Sequence, residues 1–152
     1  MKWSPQDVDV YLKSKEYVDT AVIPLFPVAF EGEMKQAAAM TEFISILTGQ
    51  LERQFRGRLM LLPGFSYMKT KDDEKLIEDL KFWEKQLLEN GFSHVFYLTS
   101  DPVWNSLQNR LSGSVIWLPS IPMEMMEEKA KISIIESQVK QMITLFTQKW
   151  QQ

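Results

Sequence analysis

VIPLFPVAFEGEMKQ, residues 22–36, begins as an apolar run and passes into polar, helix-forming sequence, as the first strand of a nucleotide-binding α/β domain does. The run starts at Thr20 and carries Pro24 and Pro27 near its end; its length suits a buried strand better than a helix. A dinucleotide site would continue with G-x-G-x-x-G, and a P-loop with G-x-x-x-x-G-K-[ST], because backbone amides must approach phosphate at a helix N-terminus. This stretch has one glycine, Gly32, between Glu31 and Glu33. Two carboxylates would repel phosphate there, so no NAD, FAD or ATP phosphate site is expected. Their plain role is to complement the positive end of the following helix.

Helix signals lie on both sides of that strand. Ser4, Pro5 and Asp7 form an N-terminal cap, first-turn proline and dipole partner, which predicts a helix over about 5–17. Trp3 and Val8 are placed to staple its start. Downstream, Ala37, Met40, Ile44, Leu47, Leu51 and Phe55 recur every three or four positions and predict an amphipathic helix over about 34–56. RLMLLPGF is the second strand. KDDEKLIEDLKFWEKQLLENG is the next helix, with Leu76, Leu80, Trp83 and Leu87 inward and Asn90-Gly91 as its stop. HVFYLTS and SVIWLPS are the third and fourth strands, separated by a short helix that Asp101-Pro102 opens and Ser112-Gly113 closes. A last helix runs from about 123 to 150.

Four continuous apolar strands alternating with helices indicate a parallel sheet buried on both faces. The expected fold is a single α/β domain over residues 1–152: a three-layer α/β/α sandwich with a four-stranded parallel sheet, an extra N-terminal helix and a long C-terminal one. Right-handed crossovers make 2-1-3-4 the economical strand order, as in flavodoxin-like and Rossmann-like folds. The helices starting at Met34 and Met123 then share one face. At some 27 residues the last helix would be roughly 40 Å long against about 23 Å for a seven-residue strand. An overhang carrying Leu145, Phe146 and Trp150 follows, and with it a homodimer through that helix.

Composition excludes several classes. The chain has 152 residues, 45% hydrophobic and 24% charged, which suits a soluble globular domain. With no cysteine, thiolate nucleophiles, thiolate metal sites and disulfides are absent. A net charge of −3 lacks the basic footprint of a nucleic-acid or anionic-lipid binder. No apolar run reaches the 18 residues of a membrane span, and no signal peptide is visible. The expected location is the cytoplasm.

Ligands of doubly wound sheets sit beyond the strand carboxyl ends where the order reverses. The polar groups there are Thr99, Ser100 and Asp101, with Ser66 and Ser120 on neighbouring loops. Asp101 could act as a base, but capping the helix that Pro102 opens accounts for it. His94, the one histidine, falls at the opposite end of its strand, roughly 20 Å away at 3.3 Å per residue, so a serine-histidine system is not expected. Ser66 and Lys69 could pair, although PGFSY lacks the G-x-S-x-G elbow. Arg53, Arg56 and Arg58 cluster at a helix C-terminus, where cations are favoured anyway. No catalytic residue, metal site or cofactor is assigned. Flexible thioethers at Met123, Met125 and Met126, with Phe82 off the main apolar stripe, are candidate partner-binding groups.

The stretches MKWSPQDVDVYLKSKEYVDTAVIPLFPV, EMKQ and LERQFRGRLMLLPGF resemble the YpiF-like proteins of Bacillus and its relatives, a family of unknown function, over essentially the whole chain. The resemblance implies a cytosolic bacterial protein whose gene lies near those for the menaquinol to cytochrome c reductase, and it carries over no catalytic residue. The functional expectation is a non-catalytic interaction or regulatory protein, linked to respiratory-complex genes, with an unknown protein partner. The alternative is a small-molecule binder or hydrolase-like enzyme at the ends of the first and third strands.

Overall fold

A computed structural model describes residues 1–70 and 72–152; Lys71, which heads the third expected helix, lies outside the described residues. The run that opens at Thr20 is β1 (Thr20–Val28), and it lies in the interior of the sheet. Two prolines in an interior strand require a reason, since proline cannot donate to a ladder. Even-numbered residues of β1 turn their backbone groups to one side: Thr20 N–H donates to Arg58 O, Val22 O accepts from Leu62 N–H, and Val28 O accepts from Lys69 N–H. On that side β2 (Leu59–Leu61) pairs as far as Val22 and β3 (Phe65–Met68) begins opposite Leu25. Pro24 therefore points its missing donor into the break between β2 and β3. Pro27 faces the other side, past the last partner of β4 (His94–Thr99), which is Pro24. Neither proline removes a ladder bond. Gly64 sits in the same break, where a Cβ would overlap the ring of Phe26.

All strand pairs are parallel, in the order β2-β1-β4-β5, with β5 spanning Ser114–Trp117. This is the expected 2-1-3-4 arrangement. The expected four strands become five because FSYM, read as loop, pairs with β1 beyond the end of β2. Successive side chains of a strand face opposite layers. Val22, Phe96 and Leu98 enter one core with Leu47 of α2 (Met34–Gln54) and Phe146 of α5 (Glu128–Trp150). Ala21, Ile23 and Tyr97 enter the other with Leu80 of α3 (Asp73–Glu89) and Trp104 of α4 (Trp104–Leu107). α1 (Pro5–Leu12) joins this second layer, its Tyr11 stacked 5.7 Å from Phe92. Ser4 caps it as expected, accepting from Asp7 N–H, but the α-helix stops at Leu12, and residues 15–17 form a separate 3-10 turn.

The C-terminal overhang is not present. β1 has nine residues rather than seven and α5 has 23 rather than 27, so both are roughly 30–35 Å long. The first residues of the expected helix, Met123 to Met126, form a turn instead, with Met126 N–H bonded to Met123 O. At the far end Phe146 is fully buried, stacked 3.9 Å from Phe96, and Trp150 donates to Thr20 Oγ1 at 2.8 Å. The Arg58 guanidinium lies 4.0 Å over the Trp150 ring while bonding both Asp19 oxygens. Although burial opposes it, that guanidinium and the Thr20 hydroxyl hold the Asp19 carboxyl below its usual range. Phe146 and Trp150 are thus held against their own domain, while Leu145, the third residue of the expected overhang, is 41% exposed.

Candidate functional site

At the carboxyl ends of β3 and β4, side chains read separately from the sequence form one buried cluster. Alternation along β3 sends Tyr67 into the α3/α4 core, where its hydroxyl donates to Asp101 Oδ2 at 2.7 Å and accepts from Trp104 Nε1 at 2.8 Å. Asp101 Oδ1 accepts from Val103 N–H at 3.2 Å and from Lys69 Nζ at 3.4 Å. Asp101 N–H in turn donates to Thr99 Oγ1 at 3.0 Å. Burial, reinforced by the Asp101 acceptor, pushes the Tyr67 phenol far above its usual pKa, so it remains a donor. Thr99, Ser100 and Asp101 are all buried, and Lys69 is the member that reaches solvent.

Chemically this arrangement locks two strand ends together. Both Asp101 oxygens accept hydrogen bonds from within the chain, and the carboxylate is buried. Its role differs from the capping expected from Pro102: α4 has Val103 as its N-cap, and Asp101 holds the turn before it through Val103 N–H and pairs with Lys69. Among the described residues the buried Ser100 Oγ finds no hydrogen-bond partner. Ser66 alternates away from Tyr67 and is exposed on β3, which separates it from Lys69, and Ser120 is half-buried beyond β5. Neither joins the cluster by a hydrogen bond. Beyond the end of β1, Glu31 takes φ 60°, the left-handed region that costs a residue with a side chain about 1–2 kcal/mol.

Tyr67, and the polar link it makes to Asp101 and Trp104, escaped the sequence because those partners are 34 and 37 residues away. A second buried acid, Glu84, did so for the same reason. Its carboxylate accepts Ser112 N–H at 3.2 Å and Gly113 N–H at 2.6 Å. That displaces Trp83, expected inside, to 36% exposure; Trp117 is 38% exposed on β5. Beside Glu84 the Tyr97 hydroxyl is buried without a well-formed hydrogen bond, and burial together with the carboxylate raises its pKa. His94 lies at the opposite end of β4, as expected. Of the arginines, Arg58 is held by Asp19 and Arg56 pairs with the buried Glu52, which also binds the Met1 ammonium.

The expected partner-binding residues do not form one surface. Met123 is buried, Met125 is 97% exposed and Met126 is half-buried against the α2/α5 core. Phe82 is exposed on α3, in the opposite layer. What the fold does place together is a groove of about 640 Å³ between α2 and α5. Ile46 of α2 and Ile132, Ile135, Val139 and Ile143 of α5 give it an apolar floor. Glu42, Glu136, Lys131 and Lys140 line it with both signs of charge. Among the described residues no group of three or more acidic or histidine side chains is placed to hold a metal ion, and no helix is long and apolar enough to cross a membrane.

A family model described as "Protein of unknown function (DUF2487)" matches residues 9–150, and the chain belongs to that family. It is 35% identical over 150 residues, 99% of this chain and 98% of the relative, to "Uncharacterized protein YpiF" of Bacillus subtilis (strain 168). No solved structure matches the chain.

Proposed function

We propose that this member of the DUF2487 family is a non-catalytic binding protein that takes an amphipathic helix of another protein into the groove between α2 and α5. One observation carries the proposal: Ile46 and Ile132 are 39% and 55% exposed along a concave, apolar-floored furrow. Apolar residues at 132, 135, 139 and 143 repeat at helical spacing, and a facing helix can meet them with anchors at i, i+3 or i+4 and i+7. The mixed-sign rim suits a partner with charges beside its apolar stripe. The engaged Asp101 cluster supports the same conclusion from the other side, because it offers no poised nucleophile or base. The reductase genes implied by the resemblance make that complex and its assembly proteins the first partners to examine.

The test is capture from native lysate by the full chain, compared with Ile46→Glu/Ile132→Glu. Both side chains are exposed, so the thermal midpoint should stay within a few degrees while the captured partner is lost. Capture unchanged in the double variant would refute the groove as the binding surface. A second reading, a small-molecule site at the strand ends, is favoured by the orphaned Ser100 hydroxyl, which a ligand oxygen could satisfy. In that case Ser100→Ala should lose a co-purifying metabolite that the groove variant retains.

A further inference from the structure

The two edges of the sheet are treated differently. Along β2, Leu61 N–H donates to Met1 O at 2.7 Å and Lys2 forms a parallel bridge to Leu61, so part of that edge is covered by the chain itself. β5 pairs with β4 and, among the described residues, with nothing else. Leu118 N–H donates to Thr99 O, which assigns the backbone groups of Ile116 and Leu118 to β4. By alternation, the amides and carbonyls of Val115 and Trp117 point to the open side. Exposed edges are normally blunted by charge, proline or a bulge. SVIW, residues 114–117, has no charge and no proline.

This edge lies along a slot of about 530 Å³, with Asn109 on one side and Leu145, Gln148 and Lys149 of α5 on the other. The slot has room for one extended strand beside β5. Among the described residues Lys149 is the one ionised side chain lining the slot, so a carboxylate is favoured in the occupant. We infer that β5 is a strand-addition site for an extended, carboxylate-bearing peptide segment of another protein, separate from the α2/α5 groove. The backbone of Val115 and Trp117 would supply the main-chain bonds, and the side chains of the peptide would alternate between the slot walls.

The probe is a phage-displayed library of random nonapeptides panned on the full chain, with enriched sequences resynthesised and measured by fluorescence anisotropy. Enriched peptides should carry a carboxylate. N-methylation of each peptide amide in turn should weaken binding about tenfold at alternate positions, the value of one lost hydrogen bond, and leave the intervening positions nearly unchanged. Val115→Pro removes an outward amide without touching the β4 ladder and should abolish binding. Lys149→Glu should weaken it about two- to fivefold, as loss of one favourable charge contact would, and Ile46→Glu should bind as wild type. The methylation pattern is read on the peptide, so it decides the matter even if Val115→Pro fails to fold. No enriched peptide, a three-to-four-residue methylation period, or a concentration-dependent dimer that Val115→Pro dissolves would each overturn the inference.

Discussion

Tyr67 is the residue on which the polar cluster depends, since its hydroxyl serves Asp101 and Trp104 at once. Tyr67→Phe leaves the buried indole N–H without its acceptor and takes a donor from Asp101, a cost of about 1–3 kcal/mol. Tyr97→Phe removes an orphaned hydroxyl and should be close to neutral by thermal melting. Asp101→Asn exchanges one of two accepting oxygens for an N–H2 donor that meets the Tyr67 hydroxyl or the Lys69 ammonium, so it should be destabilising rather than the nearly silent change capping alone would give. The phenols also set an alkaline limit. Both folded-state values lie above the ordinary 10, so below pH 10 folded and unfolded chains hold these protons equally. Above it the unfolded chain releases them first, and stability falls by up to about 1.4 kcal/mol per pH unit for each phenol. Urea titrations at pH 9, 10 and 11 should show that decline, reduced in Tyr67→Phe. Gly64→Ala should displace the Phe26 ring and lower the melting temperature; an unchanged midpoint would contradict the close approach at the β2/β3 break.

Among the elements, α3 and α5 show how a long-range partner changes what a sequence pattern means. The buried line of α3 is Ile77, Leu80, Glu84 and Leu87, and a glutamate within it hides the register from any hydrophobic count. Glu84→Ala would leave the Ser112 and Gly113 amides unpaired where α3 meets the turn into β5. A loss of about 1.5–3 kcal/mol is expected, with faster hydrogen exchange at the start of β5. α5 is fixed at its last turn by the Trp150 bond to Thr20 and by Arg58 over the ring. Trp150→Ala should cost about 2–4 kcal/mol, somewhat under a fully buried aromatic truncation, and should fray that turn in exchange measurements. The strands that were legible are those with continuous apolar runs. β3 was not, because residues 65–68 have a half-buried Phe65 and exposed Ser66 and Met68 around one buried tyrosine, and its pairing exists because β1 extends past β2.

For the molecule as a whole, strand order and the division of helices between faces followed from hydrophobic pattern and crossover handedness, and both are present. Sites were less readable. Thr99, Ser100 and Asp101 were found because Asp-Pro after an apolar run marks a strand end, whereas Tyr67 and Lys69 joined them only through folding. The α2/α5 groove was invisible because Ile46 and Ile132 stand 86 residues apart in the numbering, each an ordinary helix position. In the proposed mode a partner helix occupies that groove and not the α3 face or the strand ends. Site-specific photocrosslinking in cells tests it most directly, with a photoreactive phenylalanine analogue placed in turn at exposed Ile46, Ile132 and Phe82. The expected result is one crosslinked protein partner shared by positions 46 and 132 and missing at 82; that partner appearing at 82 while 46 and 132 stay blank would contradict it.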